Sequence, residues 1–256
     1  GAVTYSQAAE DYLLKTKGLV KQNSEADKVG KTYTSLEHQW DEGFGYFGAA
    51  RDYLAYTDAE NKSNSANDTN GDSQIDLMAG EYSYGYSVNA AKRDVGSTGA
   101  TDFSTEAMAA FIAGRKLIND NVGAAEVGAD AAYYTELVAL SETALGAWEK
   151  AIAATTIHYI NEIINNDLES IGSEAGTDAF NDHAKHWSEL KGFALSLQFS
   201  PIAKITRENL ITVHANIGEA PELSADNKVA YQAKLEAARD LLKDAYGFDA
   251  TVVVNW

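Results

Sequence analysis

The sequence predicts an all-α protein, on three observations. Its 256 residues contain two prolines, Pro201 and Pro221, so few positions break the helical hydrogen-bond ladder. Alanine, leucine, glutamate and lysine, which lose little side-chain freedom in a helix, are plentiful elsewhere. Apolar residues also recur at helical rather than alternating spacing along most of the chain. With 45% apolar residues, the chain can bury one large core or two modest ones.

Tyr5 to about Lys21 reads as a first amphipathic helix, with Ala8, Tyr12, Leu13 and Leu19 near one side. Asn23-Ser24 breaks it, and Ser24 is the expected N-cap of a second helix running to about Tyr56. That helix contains Glu37-His-Gln-Trp-Asp-Glu-Gly-Phe-Gly-Tyr-Phe-Gly48, the stretch around which the chain is organised. At about 100° per residue, His38, Asp41, Glu42, Gly45 and Ala49 share one stripe, and Trp40, Phe44 and Phe47 lie opposite. Ionisable residues on a small-residue stripe point to a site, with the aromatic side packed into a core.

Residues 57–79 read as an acidic loop insertion, crowded with Asp, Asn, Ser and Thr whose side chains bond nearby backbone. Within it, Asp68, Asn70, Asp72 and Asp76 place oxygen side chains at positions 1, 3, 5 and 9 of a calcium loop. Gln74 offers its carbonyl at position 7 and Ile75 fills position 8. Position 12 is Ala79 rather than glutamate, Glu81 is the next acid, and the glycine falls at position 4. A structural calcium ion is expected there.

Glu81 to Ala91 shows no clear helical period and reads as an aromatic excursion packed on the bundle. Asp102 or Ser104 caps a helix to about Asn121 that carries Met108, Phe111, Ile112 and Ile118 with Arg115 among them. An arginine on an apolar face implies a paired charge, because burying it alone is expensive. From about Asp130 to Asn166 a long helix aligns Leu140, Ala144, Ala147, Ala151, Ala154, His158 and Glu162. Thr177 or Asp178 starts the next, where Asp182, His186, Glu189, Leu190 and Phe193 share a face and His183 lies at its edge. Pro201 closes that helix, Thr206 opens another to about Ile217, and Ser224 caps one to about Tyr246. The β-branched end, Thr251 to Trp256, is expected to lie along the bundle as an extended strap.

Composition removes several function classes. A net charge of −18 repels phosphates, which argues against nucleic acid and against an anionic membrane surface, while drawing cations in. The absence of cysteine removes disulfides, thiolate metal sites and cysteine catalysis. No stretch approaches the roughly 20 apolar residues of a spanning helix. Gly1-Ala2-Val3-Thr4 has the character of a processed or truncated start, consistent with a removed targeting signal.

Several separated stretches together resemble the imelysin-like group, in particular an uncharacterised bacterial lipoprotein branch of it. They are the Glu37–Gly48 stretch, Lys17-Gly-Leu, Ala110-Phe-Ile-Ala-Gly-Arg-Lys, Ile157-His-Tyr-Ile-Asn and His186-Trp-Ser-Glu-Leu-Lys-Gly-Phe, in that family's order. The resemblance spans residues 17–201. It implies one helical domain over 1–256, made of two bundles that divide near residue 122, with a site at their interface. It further implies export to the periplasm or outer membrane, a lipid anchor on a missing N-terminal segment, and a role in iron uptake. The group's Gly-x-His-x-x-Glu motif maps to His38 and Asp41, with Glu42 adjacent; Leu36 stands where the glycine would be. An internal echo between Trp40-Asp-Glu-Gly-Phe44 and the residues from Trp187 to Phe193 fits a duplicated bundle.

The functional expectation is therefore a non-catalytic site for iron or zinc, or for a metal-bearing ligand, built from His38, Asp41, Glu42, His186 and Glu189. Imidazoles with carboxylates suit such metals. His158 and Arg115 are expected in or beside it, orienting the ligands; His183 is expected at the surface or in support of the ligands, and His214 is expected to be ordinary. The competing structural expectation is a buried polar network clamping two bundles, satisfied by hydrogen bonds and by Arg115. The resemblance also implies an alternative, a metallopeptidase of imelysin type, although a zinc peptidase normally shows His-Glu-x-x-His on one helix, His183-Ala-Lys-His186 lacks the glutamate, and no Gly-x-Ser-x-Gly elbow occurs. A third expectation is a surface module binding a glycan or other ligand through Tyr82 to Tyr86.

Overall fold

A computed structural model describes residues 2–63 and 68–256; positions 64–67 of the predicted acidic loop lie outside the described residues. The protein is all-helical. Among the described residues there is no strand, only the isolated bridges Asn23–Ala124 and Ala26–Thr34. The helices, in order, are α1 (Ala2–Ser6), α2 (Ser35–Phe47), α3 (Asp58–Asn61), α4 (Tyr86–Gly96), α5 (Phe103–Asp120), α6 (Tyr134–Glu162), α7 (Asp178–Ser196), α8 (Arg207–Ile217), α9 (Lys228–Tyr246) and α10 (Ala250–Val253). Among the described residues no helix is long and apolar enough to cross a membrane.

The fold is arranged around α6. The alanines predicted to share its small stripe are buried, but so are Leu145, Trp148, Ile152 and Ile157 on its other sides. A helix apolar all round must be surrounded, and α4, α5, α7 and α9 pack against it. Tyr5, Phe47 and Tyr86 meet the Trp148 ring at centroid distances of 5.2, 5.3 and 5.5 Å. A buried acid, Glu149, lies among these rings. Glu149 accepts hydrogen bonds from Tyr5 Oη (3.0 Å), Tyr246 Oη (2.8 Å), the Lys204 amide (3.0 Å) and the Ser200 hydroxyl. Four donors replace the water that a carboxylate loses on burial.

The caps at Asp102, Thr177 and Thr206 are where the sequence places them, each accepting an amide of the first turn. Four expectations are corrected. The first helix does not reach Lys21: α1 runs into a π-helical turn that ends at Tyr12, and the amides of Lys17, Gly18 and Leu19 then converge on the Leu14 carbonyl. The second helix starts at Ser35, not after Ser24. Thr34 and Glu37 form a reciprocal capping box, while the buried Asn23 donates to the Ile118 carbonyl (2.9 Å) and accepts the Thr34 hydroxyl (2.7 Å). It ends at Phe47, because Gly48 adopts φ +84° and an added Cβ would lie 2.5 Å from the Tyr84 carbonyl oxygen; Ala49 is therefore outside the helix.

The aromatic run 81–91 turns helical at Tyr86, with Tyr86, Ala90 and Asp94 buried on one side. The C-terminal strap is not extended: Asp249 caps α10 by accepting the Thr251 amide at 2.7 Å. Tertiary packing of Val252, Val253 and Trp256 overrides the β-branched preference.

Candidate functional site

The residues expected to form one site are divided between two clusters. On α2, Glu37 is buried, and its Oε1 accepts from Arg115 Nη1 of α5 at 2.9 Å while Oε2 accepts the Thr34 amide at 2.7 Å. Arg115 Nε also donates to Asp41 Oδ1 at 2.8 Å. The arginine is paired, as an apolar face requires, and it bolts α2 to α5. His38 turns outward to stack on Tyr33 (5.3 Å between centroids), with Nε2 3.9 Å from Glu42 Oε1.

The second cluster lies between α4, α6 and α7. His158 Nε2 is 3.8 Å from Glu162 Oε1, and its ring lies 4.9 Å from that of Tyr159. Tyr159 is 6.3 Å from the His186 ring and stacks on Phe193 at 5.7 Å. His186 Nδ1 faces Asp167 Oδ2 at 2.9 Å. His183, expected at an edge, is buried with Nε2 bonded to the Glu222 carbonyl (3.0 Å) and Nδ1 3.6 Å from the same Asp167. Burial, reinforced by Arg93, holds the His158 pKa down at about 4. Burial and then Glu189 raise Tyr159 to about 12, and burial lowers Arg93 to about 10. Among the described residues Arg93 makes no ion pair, and neither its Nε nor Glu189 Oε2 finds a hydrogen-bond partner.

His38, Asp41 and Glu42 therefore do not meet His186 and Glu189. The reason is one of packing: α2 leans on α5 and on the Gln7–Tyr12 turn, whereas α7 leans on α6. Stripes on two helices say which residues share a face, not which faces meet. Among the described residues, the group of three acidic side chains whose oxygens lie within 4.8 Å of one another is Asp58, Asp94 and Asp102. Its centre is committed to structure, since Asp94 accepts the amides of Phe103 and Ser104 at 2.8 Å each and the Thr101 hydroxyl at 2.9 Å.

In the acidic loop, Asp68 accepts the amides of Gly71, Asp72 and Ser73, Asn70 that of Asp72, Asp72 that of Gln74, and Asp76 that of Met78. Ser73, at the position where calcium loops carry glycine, has φ +64°. Buried Glu81 closes the loop by accepting the amides of Thr69 (3.2 Å) and Asp76 (2.9 Å).

Between these parts is a cleft of about 700 Å³, bounded by α2, α5 and residues 77–80 at the end of the loop. Trp40, Phe44, Met108, Phe111 and Ile112 form its apolar floor, and Asp41, Arg51, Arg115 and Lys116 stand around it. The floor is rigid: Trp40 Nε1 donates to the Phe111 carbonyl at 2.9 Å, and Phe44 and Phe111 meet edge to face at 5.5 Å. Arg51 donates its amide to the Gly80 carbonyl at 2.8 Å, tying the outer wall to the end of α2. A mostly apolar concavity with a few placed polar groups is the general form of a small-molecule site.

Sequence reading missed Glu37, Arg51, Arg93 and Asp167 as site residues. Glu37 was accessible through its capping-box spacing from Thr34; the other three carry no local signal.

Fold and site together define a class: a helical protein with a preformed apolar cleft and two separate histidine–carboxylate clusters. Over residues 1–215 the sequence matches the family described as Domain of unknown function (DUF4856), and the chain belongs to that family. No curated protein and no solved structure matches it.

Proposed function

We propose that this chain is a non-catalytic binding protein whose ligand is a small, largely apolar molecule held in the cleft between α2, α5 and residues 77–80. The observation that carries the reading is the cleft itself: about 700 Å³, floored by aromatic and aliphatic side chains of the Glu37–Gly48 stretch and α5. That volume lies within the roughly 300–1,000 Å³ of ligand pockets. The aromatic floor is fixed by packing, so little ordering accompanies binding. In this reading the Asp68, Asn70, Asp72, Gln74 and Asp76 loop holds a calcium ion that stiffens the adjoining wall. Its support is the ligand spacing and the positive φ at Ser73.

The test is fluorescence titration with N-phenyl-1-naphthylamine, a neutral apolar probe, against the full chain and Ile112→Glu. Ile112 lines the cleft and is half exposed, so the variant should fold while placing a charge in the cleft. Saturable binding weakened at least tenfold in Ile112→Glu, with unchanged circular dichroism, is the expected result. Equal binding by both proteins sinks the proposal.

A second reading keeps the wider resemblance: an exported, imelysin-like periplasmic or outer-membrane lipoprotein that binds iron or zinc in iron uptake. What favours a metal is the second cluster, where Asp167 occupies Nδ1 of His186, the arrangement that fixes the ring of a metal-binding histidine, near His158, Glu162 and Glu189. The ligand atoms are not gathered within 4.8 Å, so side chains would have to converge on the ion, and the cleft reading is preferred. Stoichiometric iron or zinc on elemental analysis, lost in His186→Ala, would reverse that preference.

A further inference from the structure

Resting on the cleft reading, we propose that the ligand is an amphiphile with a single anionic head, taken up as a free molecule and not as part of a bilayer. The carrying observation is a cation left over on the cleft rim, in an acidic chain, once the ion pairs are made. The whole chain has 38 acidic against 20 basic residues, yet the cleft is lined by three cations, Arg51, Arg115 and Lys116, and one carboxylate, Asp41.

The three cations are not equivalent. Arg115 is more than neutralised by Glu37 and Asp41 at 2.9 and 2.8 Å and is part of the scaffold. Lys116 pairs with Asp120 one helical turn away in an exposed contact, a kind of pair that contributes little and is readily exchanged. Arg51 is exposed and makes no ion pair among the described residues. Its place is fixed by its neighbours in sequence: Ala50 is buried with its amide on the Ser83 hydroxyl, and the Arg51 amide is on Gly80. A planar guanidinium on a held backbone suits a carboxylate or phosphate oxygen pair.

The apolar half of the ligand has its counterpart in the same place. Beyond the aromatic floor, Leu77 and Met78 of the outer wall are 70% and 94% exposed. These two adjacent large side chains stay in water beside a cleft they already line. An apolar tail along the floor would bring them out of water, which is the favourable term for such binding. The net charge of −18 opposes approach to an anionic bilayer, so the occupant is a dissolved single molecule.

The experiment is isothermal titration calorimetry of the full chain with laurate, 1-dodecanol and dodecylammonium, each at concentrations where it is dissolved as single molecules, and with the Arg51→Gln variant. These probes share one tail and differ in the head. Laurate is expected to bind at least tenfold more tightly than dodecanol, with dodecylammonium weakest, and Arg51→Gln should lower laurate affinity about tenfold while leaving dodecanol unchanged. Equal affinity for laurate and dodecanol overturns the anionic head and leaves the cleft reading standing. Failure of all three probes, together with N-phenyl-1-naphthylamine, overturns the cleft reading itself. A laurate preference that survives both Arg51→Gln and Lys116→Gln overturns the assignment to this rim. Co-sedimentation with phosphatidylglycerol vesicles overturns the free-molecule part.

Discussion

Replacing Gly114 with alanine tests whether the cleft floor is as closely built as the structure shows. Gly114 faces Trp40 from α5, and an added Cβ would fall 2.0 Å from Cζ2 and 2.4 Å from Cη2 of that indole. Ordinary carbon contacts need about 3.5–4.0 Å, so the ring would have to retreat by roughly 1.5 Å from a position where it is 1% exposed. Overpacking of this kind costs about 1–3 kcal/mol. Moving the ring also breaks the 2.9 Å bond from Trp40 Nε1 to the Phe111 carbonyl, leaving buried polar groups unpaired at a cost of about 1–3 kcal/mol. Against this stands a gain of about 1 kcal/mol in helix propensity. The net is a loss of about 3 kcal/mol, or about 6–12 °C in Tm for a chain of this size.

Differential scanning calorimetry checks the value, and Gly146→Ala on α6 is the control. A Cβ at Gly146 meets nothing within 4 Å, so that variant should gain up to about 1 kcal/mol. Trp40 lines the cleft, so Gly114→Ala should also weaken probe binding, whereas Gly146→Ala should not. A Gly114→Ala protein as stable as its control would refute the packing argument.

Four further outcomes are expected. Glu149→Ala leaves Tyr5, Tyr246, Ser200 and the Lys204 amide without their shared acceptor and should lose about 3–5 kcal/mol in urea unfolding; a loss below about 1 kcal/mol would contradict the network. Arg93→Met exchanges a buried guanidinium whose Nε has no hydrogen-bond partner for an apolar side chain of similar length and should leave Tm unchanged or raise it, a marked fall revealing an anion that holds it. The folded pKa of His158, about 4, lies below the ordinary value, so the unfolded chain binds the extra proton and stability falls as pH drops from about 6.5 towards 4. That slope amounts to about 2 kcal/mol between pH 7 and 5, and urea melts at the two pH values should show it shrinking in His158→Gln. Chelation should lower Tm in the wild type but not in Asp72→Ala if calcium occupies the loop, with about 2.7 kcal/mol at stake when the ion stands at 100 times its Kd; an unchanged wild-type Tm argues for an ion-free loop.

The helix starts at Asp102, Thr177 and Thr206 were legible because their caps are local. Asp102, Thr177 and Thr206 each bond an amide of their own first turn, which is chemistry contained in a few residues. Ser24 is the instructive failure. It has cap chemistry, but Asn23 beside it is held by the Ile118 carbonyl, 95 residues away, and Thr34 has the glutamate three residues on. The period of α4 was hidden because Tyr82 to Gly85 dilute it, and it begins only at Tyr86. As for the site, the Glu37–Gly48 stretch does border the cleft, through Trp40, Asp41 and Phe44. Its stripe could not reveal that His38 stacks on Tyr33, nor that Arg51, just past the helix, would stand on the rim.

The α9–α10 tail bears on what counts as the folding unit. The family match ends at 215, but Asn161 of α6 donates to the carbonyls of Val253 (2.7 Å) and Trp256 (2.9 Å) and accepts from Arg239 (2.8 Å). Tyr246 reaches Glu149, and Trp256 donates to the Arg93 carbonyl at 3.0 Å. A chain cut after residue 215 would leave the central helix with a wet apolar flank and with acceptors and donors stripped of their mates. Experiments on a segment trimmed to the matched residues would report on a broken core.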